Sequence, residues 1–176
     1  MKKIYFIRHA KAEHFSEGIS DFERGLRKKG KKDIQTIGSY MALQNISFDL
    51  LLSSYALRAQ QTAIGLSERL SFCGEQHFLE ELYFSSFEEV LNIITIQDDC
   101  YKSIAIVGHN PQLNELTNRL SGEFIQKIPA MGVVALEFDI QSWSDIEECR
   151  GKLNFFIYPK QFKYYIPKQI RSTLPR

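Results

Sequence analysis

Cysteine is scarce in this chain of 176 residues, which has three: Cys73, Cys100 and Cys149. They are odd in number, far apart and form no CxxC, which argues against both a disulfide framework and a thiolate zinc site. Reduced, packed thiols are the expectation. Long apolar runs are also missing. None approaches the roughly 18 residues a membrane helix needs, so no membrane association is expected. The basic start, "MKKIYFIRHAK", carries too short an apolar run for a secretory leader, which points to the cytoplasm. Neither sign of charge dominates. The net charge is +1, so the molecule as a whole has no electrostatic grip on nucleic acid. No GxxxxGK[ST] is present, no HExxH, and no cysteine followed by an arginine six positions later. A nucleotide P-loop, a zinc hydrolase and a cysteine phosphatase are thereby disfavoured.

What the chain does have is a normal globular composition, 44% hydrophobic and 24% charged, and enough length for one domain with a sizeable core. Ile4 to Ile7, Leu50 to Leu52 and "SIAIV" (103 to 107) are short apolar runs of the buried-strand kind. Between them apolar residues recur at helical spacing: Ile34, Ile37 and Met41; Ala56, Ala59, Ala63, Leu66 and Leu70; Phe87, Val90, Leu91 and Ile94. Asn110-Pro111 offers an N-cap and a first-turn proline to a helix carrying Leu113, Leu116 and Leu120. Two late strands, "VVALEFD" (133 to 139) and "LNFFIY" (153 to 158), follow. Alternating strands and helices without repeat or linker predict a single α/β domain of three layers, its mostly parallel central sheet covered by helices on both faces.

Such sheets bind ligands beyond the carboxyl ends of their strands. The first strand runs out at Arg8-His9. The second is followed by "SSYALRAQQTA", which places Arg58 in the first turn or so of a helix, and the third, "IAIVGHNP", ends at His109. Two arginines and two histidines are thus delivered to one edge, and a phosphate suits them best. Arginine pairs two phosphate oxygens with its planar fork, and helix N-termini add backbone donors. Neutral His9 beside Arg8 is a candidate nucleophile toward phosphorus. Positioning and charge neutralisation, the main demands of phosphoryl transfer, are met by these side chains without a metal or other cofactor. His14 and His77 have no comparable support and read as surface or partly packed histidines.

"RHAKAE", "SSYALRAQQTA" and "VGHNP" resemble the histidine phosphatase superfamily, the phosphoglycerate mutase-like enzymes. "DFERGLRKKG" (21 to 30), "GHNPQLNEL" (108 to 116) and "KIPAMGVVALEFD" (127 to 139) are similar to its SixA-type phosphohistidine phosphatase branch. The resemblance spans about residues 1–160 and implies a histidine phosphatase domain there. It implies His9 as the residue phosphorylated during turnover, with Arg8, Arg58 and His109 as the phosphate pocket. It also implies Glu81, in "LEE", as the proton donor, the reading beside it being that Glu80 and Glu81 are solvated strand-edge carboxylates. Two departures stand out: Ala10 where the superfamily usually has glycine, and Gly25 where many members of the branch have proline. Arg24, just before Gly25, is a secondary phosphate-site candidate.

The implied activity is hydrolysis of phosphohistidine on a protein. A small-molecule phosphomonoesterase or mutase of the same superfamily is the rival. Only 28 positions separate Glu81 from His109, room for one helix and no roof over the site. An open site suits a protein-borne phosphate, whereas a mutase must exclude water from its phosphorylated histidine. A silent phosphate-binding module would carry a defect in the nucleophile or clamp, and none is visible. The partner expected is therefore a phosphohistidine-bearing protein or a phosphorylated small molecule. Two basic stretches are left over. Arg24 to Lys32 has six Lys or Arg in nine positions, at a helix start where the macrodipole disfavours them. Residues 161–176 form a basic, aromatic tail outside the matched region.

Overall fold

A computed structural model describes residues 1–162. In its first strand, β1 (Lys2–Arg8), side chains alternate between two cores: Ile4 and Phe6 point into one, Tyr5 and Ile7 into the other. A strand buried on both faces is the middle layer of three. β1 pairs in parallel with β4 (Ser103–Gly108), which pairs in parallel with β2 (Leu50–Ser54), which in turn pairs in parallel with β3 (Glu75–Leu79) at one edge. On its other side β1 pairs antiparallel with β5 (Val133–Phe138), and β5 with β6 (Lys152–Ile157) at the far edge. The sheet order is β3-β2-β4-β1-β5-β6.

Helices α1 (Lys28–Leu43) and α2 (Leu57–Leu70) lay Ile34, Ile37, Met41, Ala59, Ala63 and Leu66 on one face. Helices α3 (Phe87–Thr95) and α4 (Gln112–Ser121) lay Val90, Leu91, Ile94, Leu113, Leu116 and Leu120 on the other. The three-layer α/β architecture read from the sequence is the one found. α3 starts with a capping box in which Ser86 Oγ accepts from the Glu89 amide and the Glu89 carboxylate accepts from the Ser86 amide. No helix among the described residues is long and apolar enough to cross a membrane.

Several local expectations are corrected. β3 (Glu75–Leu79) is a strand the sequence reading does not include, and it carries no apolar alternation of its own, because an edge strand with one neighbour needs little of it. Asn110 does not cap α4. Pro111 takes the N-cap position, while the Asn110 amide donates to the carbonyl of Ile128 at 3.0 Å. Two of the three thiols are not packed: Cys73 and Cys100 are exposed, while Cys149, half-buried, packs against the core. Of the basic tail expected over residues 161–176, everything beyond Phe162 lies outside the described residues. Phe162 itself is buried, its ring 5.1 Å from that of Tyr40. The basic start of the chain has a structural use, since Lys2 is buried with its ammonium donating to the carbonyls of Asp99 (2.8 Å) and Tyr101 (2.9 Å).

The segment leaving β1 is clamped by the start of α1. The Arg27 amide donates to the carbonyl of Lys11 at 2.9 Å, and a Cβ built at Gly30 would lie 2.4 Å from that same oxygen. Gly30 is needed there for close approach of two backbones rather than for an unusual φ. Gly30→Ala is expected to destabilise the protein by about 1–3 kcal/mol through overpacking, read as a lower urea midpoint at unchanged slope.

Candidate active site

The parallel strands present their carboxyl ends on one side of the sheet, and a cavity of about 490 Å³ opens there. Arg8, His9, Arg24, Arg58 and His109 all line it, so the structure brings together five of the six residues singled out in the sequence. Glu81 is the exception. It sits exposed in a one-turn 3-10 segment, Glu80–Leu82, whose buried member is Leu82, and it does not line the cavity. The residues that reach the cavity from this loop are the next two, Tyr83 and Phe84. His14 and His77 are exposed and lie elsewhere.

The turn carrying His9 is fixed through its backbone. The His9 amide donates to the Gly108 carbonyl at 3.0 Å, tying the end of β1 to the end of β4. The Ala10 amide donates to Thr62 Oγ1 at 3.0 Å, and that hydroxyl donates to the carbonyl of Arg58 at 2.7 Å. Thr62 thus links the His9 turn to the helix that bears Arg58. The methyl of Ala10 is fully buried, and φ at this position is not positive, so alanine fits where the superfamily has glycine. From the third side Met131, in the left-handed region at φ 57°, places its amide 3.1 Å from the Arg8 carbonyl and 3.2 Å from that of His9.

The imidazole of His9 has its Nδ1 2.7 Å from the carbonyl oxygen of Ala10. A carbonyl only accepts, so Nδ1 carries the hydrogen and Nε2 keeps its lone pair. Burial lowers the pKa of His9 to about 4; the Ala10 carbonyl opposes this, and Arg58, Arg8 and Arg24 add to it. His109 lies with its ring centroid 5.1 Å from that of His9. Its Nε2 is 2.8 Å from Ser54 Oγ, and its pKa falls to about 3, chiefly by burial and then by the neighbouring His9. Both rings are neutral at physiological pH.

Arg8 donates from Nη1 to the carbonyl of Ile128 at 3.0 Å and has no carboxylate partner among the described residues. Arg58 does have one. Its Nη2 donates to Asp21 Oδ2 at 3.0 Å and its Nη1 to the Asp21 carbonyl. Asp21 was not foreseen, nor was Tyr83, whose hydroxyl donates to the same Oδ2 at 2.8 Å. Arg24 closes the network by donating to Asp21 Oδ1 from Nε at 2.9 Å. Desolvation pushes the Asp21 carboxyl up, but the hydrogen bonds from Tyr83 and Arg24 and the charge of Arg58 outweigh it and hold the pKa at about 2. The three-residue spacing of Asp21 and Arg24 was the one signal that pointed to this pairing. Tyr83 left none.

Unpartnered polar atoms concentrate at this cavity. Of the six buried side-chain nitrogens and oxygens without a hydrogen-bond partner among the described residues, five belong to its lining: Arg8 Nε, Arg58 Nε, His109 Nδ1, Asn110 Oδ1 and Gln112 Oε1. Buried polar groups are otherwise almost always satisfied. A built cavity of this kind, cationic and donor-rich, is made for an anion. No cluster of three or more His, Cys, Asp or Glu that could hold a metal occurs among the described residues.

The fold is that of the phosphoglycerate mutase-like α/β proteins. The profile of the Histidine phosphatase superfamily (branch 1) matches residues 4–99, and the chain belongs to that superfamily. Among solved structures, a SixA from Agrobacterium tumefaciens, described as a candidate phosphohistidine phosphatase, is 27% identical with a TM-score of 0.79, covering 90% of this chain and 98% of its own. The protein histidine phosphatase SixA complexed with tungstate has a TM-score of 0.78 at 21% identity, covering 92% and 99%, a likeness of fold. An uncharacterized protein of Mycobacterium tuberculosis (strain CDC 1551 / Oshkosh) is 26% identical over 162 residues, 86% of this chain and 99% of that one.

The two neutral histidines make stability depend on pH in a definite direction. Below the ordinary imidazole value of about 6.5 the unfolded chain takes up protons that the folded cavity refuses until about pH 4 at His9 and about pH 3 at His109. Stability is therefore full above that value and falls as pH drops through this window. Urea unfolding at pH 7.5 and pH 5.0 is expected to show the loss, and His9→Gln is expected to reduce it. Asp21, held at about 2, contributes only to the loss below pH 4.

Proposed function

We propose that this protein is a phosphatase that hydrolyses phosphohistidine on a protein, with His9 as the nucleophile and no metal. The observation that carries the reading is the state of His9. Its ring is neutral, its Nδ1 is committed to the Ala10 carbonyl, and its Nε2 lone pair is free in a cavity that also holds Arg8, Arg58 and His109. The family membership, and the SixA from Agrobacterium tumefaciens that the fold resembles, support the same reaction class.

His9 Nε2 attacks phosphorus in line as the bond from phosphorus to the substrate's imidazole breaks. The bonding pair leaves with that imidazole, whose other ring nitrogen already carries a proton, so that it departs as the neutral ring. Arg8 and Arg58 neutralise the equatorial oxygens, charge stabilisation of a kind that carries most of the work in phosphoryl transfer. A water then attacks the phosphorus of phospho-His9, releasing inorganic phosphate and restoring the neutral ring.

Two features support a nitrogen leaving group and a protein substrate. Among the described residues no carboxyl group lines the cavity, and Asp21, which bonds to Arg24, Arg58 and Tyr83 of that lining, is held ionised by them. An alkoxide leaving from a sugar or glycerate phosphate needs a positioned acid, whose contribution is typically about 10²- to 10⁴-fold. An imidazole leaves more easily and needs it less. The one helix between Tyr83 and His109, α3, turns Val90, Leu91 and Ile94 into the core and is not spent on roofing the site.

Quenching the enzyme during turnover of a phosphohistidine-bearing protein in EDTA, followed by mass spectrometry, is expected to show an acid-labile phosphate on His9. The adduct should be absent from His9→Ala. An adduct on a serine, an aspartate or His109, or activity abolished by EDTA and restored by a divalent ion, overturns the reading. In a separate kinetic measurement, Arg58→Ala is expected to lower kcat/KM by about 10²-fold or more, the usual effect of losing a preorganised charge donor.

A further inference from the structure

Among the described residues, four other than glycine have a left-handed backbone: Asn45, Ser71, Phe84 and Met131. Three have evident local uses. Asn45 follows the last turn of α1, Ser71 is the C-cap of α2, and Met131 pins the end of β1. Phe84 has none of these. It stands at φ 55° with 79% of its surface exposed, at the edge of the His9 cavity. A bulky aromatic is disfavoured in that conformation, where glycine is free. Strained residues that persist at a binding cavity are a pointer to function.

Phe84 is not loosely placed. Its ring centroid is 4.2 Å from that of Tyr83. Tyr83 is held in turn by its hydroxyl on Asp21, by Phe22 edge-on at 5.0 Å, and by His109 at 5.7 Å. The same carboxylate that orients Arg58 therefore fixes the ring against which Phe84 packs. At about 490 Å³ the cavity falls in the range that accommodates whole organic ligands, so it has room for a phosphate and the group attached to it.

We propose that Phe84, seated on Tyr83, is the packing surface for the planar ring of the leaving group, the imidazole of phosphohistidine in the reading above, on which this inference rests. A flat ring gains from stacking or edge contact with an aromatic face. A sugar or glycerate presents hydroxyls and carboxylates there and meets carbon. Phe84 thus selects for ring-bearing leaving groups and against polyols, a specificity set outside the phosphate clamp.

The test compares kcat/KM on phosphohistidine, phospholysine, phenyl phosphate and glycerol phosphate for the wild type, Phe84→Gly and Phe84→Trp. Phospholysine keeps the phosphorus–nitrogen bond without a ring, and phenyl phosphate keeps a ring without that bond. Phe84→Gly is expected to lose about tenfold on phosphohistidine and phenyl phosphate, mainly in KM, and to leave the other two unchanged. Phe84→Trp should restore the loss. The glycine variant relieves the backbone, so its thermal midpoint is expected to hold or rise, which separates lost contact from unfolding. Equal losses on all four substrates, or none on any, overturn the proposal. If the ring effect appears on phenyl phosphate while the wild type ignores phosphohistidine, the ring surface stands and the phosphohistidine reading falls.

Discussion

A guanidinium taken largely out of water without a carboxylate is the constraint around which this site is organised. Arg8 reaches one carbonyl, that of Ile128, and its Nε has no partner. Such a charge is costly to hold, and burial already drags its pKa below the ordinary guanidinium value. The fold tolerates it because Arg8 ends a strand it cannot leave, bonded through its backbone to Gly132 and Met131. What Arg8 lacks is an anionic partner. Burial, with the cationic neighbours adding to it, also explains the histidines: a charged imidazole has no place there, and both rings stay neutral.

Asp21 is the counterweight, and its position is telling. It serves Arg58, Arg24 and Tyr83 together while leaving Arg8 alone. One carboxylate thereby orients half of the cationic groups without cancelling the cavity's attraction for an anion.

The parts of this arrangement visible in the sequence are those with a spatial rule behind them. Strands buried on both faces, such as β1 and β4, must be continuous apolar runs, and helices packed on them must carry stripes such as Ile34, Ile37 and Met41. Parallel strands must end on one edge, which is enough to gather Arg8, His9, Arg58 and His109. What stayed hidden obeys no such rule. β3 is an edge strand with a mixed surface. The antiparallel direction of β5 and β6 leaves no trace in their periodicity. Asp21 and Tyr83 arrive from loops, whose paths are set by tertiary contacts rather than by local pattern. The position of Glu81 stayed hidden for the same reason: a spacing of residues does not say which side of a one-turn helix faces inward, and there the buried position went to Leu82 while Glu81 does not line the cavity.

The place of β1 within the sheet has one more consequence. It is flanked by β4 and β5 along its whole length, and β4 by β1 and β2, so the strands that end in Arg8-His9 and Gly108-His109 are interior ones, while β3 and β6 form the margins. Opening of a native protein proceeds from its margins inward. Amide protons of β1 and β4 are expected to exchange most slowly, and those of the edge strands β3 and β6 sooner. His9 is thereby mounted on the last part of the molecule to yield.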